Sequence, residues 1–307
     1  MALEQRHIQA LSALEFKARQ VVEGFLAGLH KSPFHGFSVE FAEHRAYNAG
    51  ESTRHIDWKL FARTDKLFVK RYEEETNLRC HLVIDGSSSM YYPPKAEKKE
   101  FNKMEFAVHA AAAFIQLLRK QRDAVGLTVF SDEVKIAEQA RSNAVHLRHL
   151  MQHLEALLAA DAPERGQGTR VVEALHQIAQ RAQRRSLVVI LSDMLDGADR
   201  ENEVFDALQH LRFNKHDIIL FHVVDRKHEL ELDLADRPYT FVDVETGEQV
   251  KAHPSEIREA YRDSMAGRWH RLKLKCGQYR IDLVEADINA GFEPILLEFL
   301  TKRARLY

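Results

Sequence analysis

Leu82-Val83-Ile84-Asp85-Gly86-Ser87-Ser88-Ser89-Met90 is the stretch that decides the fold. A short apolar run rich in β-branched residues, closed by Gly and Ser, reads as a buried strand running into a loop. In an open α/β sheet, ligands sit outside the carboxyl ends of such strands. Asp85, Ser87 and Ser89 would then project into that crevice together. One carboxylate and two hydroxyls make a hard oxygen cluster, which suits Mg²⁺, Mn²⁺ or Ca²⁺ and not zinc. The triplet alone decides little. With Asp and Ser each at about one position in twenty, chance supplies it in roughly one chain of this length in twenty-five. A polar turn capping the next helix would look the same.

The chain of 307 residues has room for one large domain and a small one. Its 45% hydrophobic and 29% charged content is that of a folded soluble protein. A net charge of −2 argues against nucleic-acid binding by the whole protein. Two cysteines, Cys80 and Cys276, exclude a disulfide scaffold and fit reduced thiols in a cytosolic protein. The start, Met1 to His7, carries no apolar signal region. The longest apolar tract, Phe106 to Leu118, is interrupted by His109 and Gln116 and is shorter than the ~20 residues that span a bilayer. A cytoplasmic location without membrane contact is the expectation.

Outward from Asp85, strands and helices alternate. Strands are expected at 81–85, 123–130, 186–191, 217–224 and 279–284, and a strand over 134–137 pairs back across the Ser131-Asp132-Glu133 turn. Helices are expected at 104–119, 144–159, 170–183, 201–213, 255–275 and 294–305, with a hairpin around Thr246-Gly247. Leu187-Val188-Val189-Ile190-Leu191 is the most apolar strand and should be central. This alternation predicts an α/β fold: a doubly wound, mostly parallel sheet flanked by helices, over residues 80–307. Residues 1–79 do not alternate. They read as a helix over 8–29, ended by Pro33, then a small β-rich module with strands at 36–41 and 67–72 and a loop over 45–51.

Two further oxygen ligands stand where an ion would need them. Asp193 follows the most apolar strand, at the same edge as Asp85. Thr169 opens a helix after the loop Gly166-Gln167-Gly168, and such loops gather on the ligand side of these sheets. Asp85, Ser87, Ser89, Thr169 and Asp193 then supply five side chains, some acting through water. A divalent ion takes about six oxygens, so one place stays open for a partner's carboxylate. Read singly, Thr169 is also a good N-cap and Asp193 a good Asx turn. Scattered histidines such as His109, His216 and His222 show no paired ligand spacing and are expected to be packed or solvated.

This pattern resembles the metal-ion-dependent adhesion site (MIDAS) of von Willebrand factor A domains. Further residues are similar to the signature of the domain-of-unknown-function 58 family: Arg45-x-Tyr47, Gly50, Arg54-x-Ile56-Asp57-Trp58-Lys59, Ala62-Arg63-Thr64 and Val69-Lys70. Lys103-Met104-Glu105, Asp123-Ala124-Val125-Gly126 and Ser192-Asp193 fit it too. Glu51 stands where that family usually has Asp after the loop glycine, and the membrane helices of many longer relatives have no counterpart here. The resemblance implies a bacterial von Willebrand A-like module fused to a family-specific N-terminal element. It also implies partnership with a MoxR-type AAA+ ATPase or its protein client, in a chaperone-like or assembly role. Arg45, Tyr47, Arg54, Asp57, Trp58, Lys59, Arg63 and Lys70 would then be structural or partner-binding.

Three functions follow from the residues. The first is a non-enzymatic module that binds an acidic partner residue through Mg²⁺, or Mn²⁺ or Ca²⁺. The second is a metal-dependent hydrolase with an ion-bound water as nucleophile. It is poorly supported: Ser87 stands where an aspartyl-nucleophile phosphatase wants a second carboxylate, no Gly-x-Ser-x-Gly elbow frames the serines, and Gly166-x-Gly168-Thr169 lacks a phosphate-loop Lys. The third is nucleic-acid binding through residues 54–71, where six cations stand with two carboxylates around Trp58 and Phe68. Glu73-Glu74-Glu75 beside that stretch favours an internal ion-pair network instead.

Overall fold

Arg79–Asp85 (β3) is the strand around which a six-stranded sheet is built, buried at every position but the first. The structure is a computed structural model, and it describes residues 12–29, 44–46, 58–70, 78–94, 101–131, 133–162, 171–182, 185–194, 201–243 and 247–306. The chain divides into two compact units, 29–77 and the remainder.

In the smaller unit, β1 (His44–Ala46) and β2 (Phe68–Lys70) pair antiparallel, His44 opposite Lys70, and α2 (Trp58–Thr64) lies between them in sequence. Residues 44–46 thus form a strand where turn chemistry suggested a loop. The expected strand over 36–41 lies outside the described residues. The helix α1 (Ala13–Leu29) groups, up to Gly28, with the larger unit and not with 29–77. The reason is a pairing across a hundred residues: Arg119 Nη1 donates to Glu15 Oε1 at 2.9 Å, and Leu14, Ala18 and Val22 are buried.

The larger unit continues with α3 (Lys103–Lys120), β4 (Ala124–Phe130), β5 (Val134–Arg141), α4 (Ala144–Ala159), α5 (Val171–Arg181), β6 (Leu187–Ser192), α6 (Glu201–Phe213) and β7 (Asp217–Val224). A hairpin of β8 (Tyr239–Val242) and β9 (Gln249–Ala252) follows, then α7 (Pro254–Gln278), β10 (Asp282–Asp287) and α8 (Glu293–Leu306). The sheet order is β10-β7-β6-β3-β4-β5. Every pairing is parallel except that of β5 with β4. The expected fold class is therefore the observed one. Two bounds shift: β5 runs to Arg141, four residues past the expected end, and α7 runs to Gln278 and displaces the last strand by three residues.

Side chains alternate across the sheet, as the period of two requires. Ile218 and Leu220 of β7 pack with Leu175 and Ile178 of α5, Leu208 of α6 and Leu272 of α7 on one face. Phe221 turns the other way and stacks on Phe114 of α3, 5.6 Å between centroids, while Phe114 meets Phe299 of α8 at 4.6 Å. Both faces are covered, which explains why β3, β6 and β7 are apolar nearly throughout.

One buried polar pair bridges β3 and β4: His81 Nε2 lies 2.8 Å from Thr128 Oγ1. Gly126 makes room for that imidazole. A Cβ there would sit 2.5 Å from His81 Nδ1 and 2.8 Å from the Glu138 carbonyl of β5. Burial, with the nearby His216, holds the His81 imidazole down at about 4. The unfolded chain takes that proton near 6.5. Between these values the unfolded state binds more protons, so this group's stability is complete above about 6.5 and is lost as pH falls toward 4. At ~1.4 kcal/mol per unit the limiting loss is about 3 kcal/mol. Urea unfolding of the wild type and His81→Gln at pH 7 and pH 4.5 isolates the group, since other residues titrate in both. The wild type is expected to lose stability relative to the variant on acidification; a constant difference would contradict the reading.

Candidate metal centre

β3 and β6 are parallel neighbours, with Ile84 opposite Leu191. Asp85 and Ser192 therefore leave the sheet at the same edge. From β3 the chain crosses to β4 on one side, and from β6 to β7 on the other. The strand order reverses here, and a crevice opens outside the carboxyl ends at such a switch point.

The loop after β3 is held close to the sheet. Gly86 donates its N–H to the Phe130 carbonyl at 2.6 Å, and a Cβ at Gly86 would lie 3.0 Å from that oxygen. Ser87 donates its backbone N–H to Asp85 Oδ1 at 2.9 Å. The 3₁₀ turn Ser88–Tyr91 then brings Ser89 Oγ to 3.0 Å from Ser87 Oγ. Asp85, Ser87 and Ser89 are all buried.

Ser192 joins the two strand ends. Its hydroxyl donates to Asp85 Oδ2 at 2.6 Å and accepts from the Met194 N–H at 2.9 Å. Met194 has φ +50°, a left-handed conformation uncommon outside Gly and Asn. Arg268 of α7 fixes that turn by donating to the Met194 carbonyl at 2.6 Å. Asp193, between these two residues, is buried at the carboxyl edge.

Asp193 has a cationic partner. Lys103 is fully buried, with Nζ 2.7 Å from Asp193 Oδ2 and 2.6 Å from Glu229 Oε1. Asn102 caps α3 in a reciprocal capping box with Glu105, which sets Lys103 at the first helical position. A cation there opposes the helix dipole, so the two carboxylates must hold it. Burial works against the Lys103 charge, but Asp193 and Glu229 outweigh it and keep the ammonium above its ordinary range. Glu229 lies on the single π-turn Arg226–Leu230 after β7. Its Oε2 accepts from the Asp225 N–H at 2.8 Å, and Tyr261 donates to its carbonyl at 2.7 Å. Burial raises the Glu229 carboxyl as well.

Asp85 is left with excess negative charge. Burial and then the Asp193 charge push its carboxyl above the ordinary range, against hydrogen bonds from Ser192 and Ser87 that pull it down. Among the described residues, no Lys, Arg or His pairs with it. A buried carboxylate beside a second one, with two adjacent hydroxyls, is an environment that a hard divalent cation would neutralise. The donor set fits Mg²⁺, and its all-oxygen composition does not favour zinc.

Four of the five expected ligands, Asp85, Ser87, Ser89 and Asp193, meet at this edge. Thr169 lies outside the described residues, as do Tyr47, Arg54 and Asp57 of the signature. Arg45 and Lys70 fall on β1 and β2, Trp58, Lys59 and Arg63 on α2, and Arg63 is exposed. The basic stretch 54–71 is described only from 58 to 70. Sequence reading missed the roles of Ser192, Lys103 and Glu229. A lysine at the first position of a buried, well-capped helix was the available signal for Lys103; nothing local marks Glu229. Beside Asp193, a cavity of about 90 Å³ opens between β7 and α7, lined among others by His222, Tyr261, Met265 and Trp269.

The strand order, with its switch point between β3 and β6, defines an open, mostly parallel α/β sheet. Residues 43–271 match the family described as "Protein of unknown function DUF58", and the chain belongs to that family. An uncharacterized protein of Mycobacterium tuberculosis (strain ATCC 25618 / H37Rv) is 28% identical over 186 residues, which are 61% of this chain and 56% of that protein. The chain thus spans about half the length of the curated relatives it matches. Among solved structures, BatB from Bacteroides thetaiotaomicron is similar with TM-score 0.42 and 14% identity, over 75% of this chain and all of that one. Manganese-loaded TRAP protein from Plasmodium vivax is similar with TM-score 0.33 and 16% identity, over 47% of this chain and 57% of that one. At such scores the fold assignment rests on the strand order described above. No helix among the described residues is long and apolar enough to cross a membrane.

Proposed function

We propose that the chain is a non-enzymatic protein-binding module that captures an acidic partner residue through a divalent cation held by Asp85, Ser87, Ser89, Thr169 and Asp193. The observation that carries this reading is the buried Asp85 carboxylate, without a cationic partner among the described residues, beside the Ser87–Ser89 hydroxyl pair. The ion, when bound, supplies a Lewis-acidic position for one carboxylate oxygen from outside. The chain's own residues do the rest. Ser192 holds the Asp85 carboxylate, the 3₁₀ turn sets the two hydroxyls side by side, and Lys103 pairs with one oxygen of Asp193. The partner is a MoxR-type AAA+ ATPase or its client, as the family resemblance implies, and the site of action is cytoplasmic.

Capture from a bacterial lysate on immobilised protein tests this. With Mg²⁺ an AAA+ ATPase or an acidic client is expected to be retained. Chelation with EDTA, or Asp85→Asn, is expected to release it. Retention unchanged by EDTA would sink the proposal.

A further inference from the structure

The edge of the sheet farthest from β10 carries a second group of ligands, of different chemistry. His149 and His153 are four residues apart on α4, a spacing that places both rings on one helix face. Glu138 of the edge strand β5 meets them. His149 Nε2 and His153 Nε2 are 3.0 Å apart, and Glu138 Oε1 lies 3.5 Å from the first and 3.6 Å from the second. The two imidazoles are within hydrogen-bond distance of each other, but both carboxylate distances are too long for hydrogen bonds and become ion pairs only with a protonated imidazole, so hydrogen bonding accounts for one side of the triangle and not for the approach of Glu138. Its three corners share a point about 2.0 Å from each, and zinc–nitrogen and zinc–oxygen bonds measure about 2.0–2.2 Å.

We infer that Glu138, His149 and His153 form a transition-metal site that takes Zn²⁺, separate from the all-oxygen centre at Asp85. Two imidazoles and one carboxylate match borderline-soft Zn²⁺ and disfavour Mg²⁺, which takes oxygen ligands. Side-chain exposures of 51% for His149, 27% for His153 and 34% for Glu138 leave the group open to solvent. A metal can therefore load without opening the fold. Three protein ligands leave a fourth tetrahedral position for water or a donor from another molecule.

Equilibrium dialysis of the metal-free full chain against Zn²⁺, in excess Mg²⁺ to fill the oxygen centre, tests the inference. The wild type is expected to bind one more Zn²⁺ than the double variant His149→Ala/His153→Ala. Losing an outer-shell partner alone costs about 10–100-fold in metal affinity, so Glu138→Gln, which weakens a ligand, is expected to cost at least ten-fold. Co²⁺ in place of Zn²⁺ should give tetrahedral visible bands in the wild type that the double variant lacks. Equal Zn²⁺ stoichiometry in both proteins, or Co²⁺ bands that survive the double substitution, overturns the site. Matching circular dichroism spectra show that the comparison is between folded proteins.

Discussion

Lys103→Met is expected to destabilise the protein by about 3–5 kcal/mol, the cost of breaking a buried ion pair from one side. The side chain is fully buried, and its ammonium touches two carboxylates at 2.7 and 2.6 Å. Met fills nearly the same space, so lost packing is a minor part of the change. What remains is Asp193, itself buried, and Glu229, both without their shared cation. The helix dipole does offer its positive end to these carboxylates, but such a term is about 0.3–1 kcal/mol and does not replace the ammonium. Urea unfolding at pH 7 measures the loss. A change below about 1 kcal/mol would mean that the Lys103 pairs are weak and that this edge of the sheet is held by other contacts.

Mg²⁺ is expected to stabilise the wild type and to leave Asp85→Asn unchanged. A ligand that binds only the native state at one hundred times its dissociation constant adds about 2.7 kcal/mol. The two proteins should also differ in the opposite sense without metal. Asp85 carries a charge that burial and Asp193 both oppose. Asn keeps the acceptor oxygen that Ser192 or Ser87 uses and removes that charge. In EDTA the variant is thus expected to melt at or above the wild-type temperature, and in saturating Mg²⁺ below it. A purely structural Asp85 would give a variant that is less stable under both conditions.

Much of this edge was legible from the chain alone. Asp85 and Asp193 each follow a short apolar run that reads as a buried strand, and parallel strands put their carboxyl ends on one side. The strand Asp217–Val224 and the helix Glu201–Phe213 fall where hydrophobic periodicity places them. Contacts between distant segments were not legible. Glu229 reaches Lys103 across 126 positions, and Arg119 reaches Glu15 across 104. No local pattern encodes such pairs. The strand at 44–46 is hidden in the sequence because Tyr47-Asn48-Ala49-Gly50 reads as a turn, while its partner at 68–70 is what makes it a strand. His149 and His153 did carry the i, i+4 spacing. The third ligand that gives the spacing meaning, Glu138, comes from a neighbouring strand.

The proposed binding function depends on an ion between Asp85 and the two serine hydroxyls. Its most direct measurement is the anomalous difference map of a crystal grown with Mn²⁺ in place of Mg²⁺. A peak bonded to Ser87 Oγ and Ser89 Oγ is expected, with Asp85, Asp193 and Thr169 around it, directly or through water. A Mn²⁺-saturated crystal with no peak at the serine pair, or with Thr169 on another side of the sheet, would contradict it.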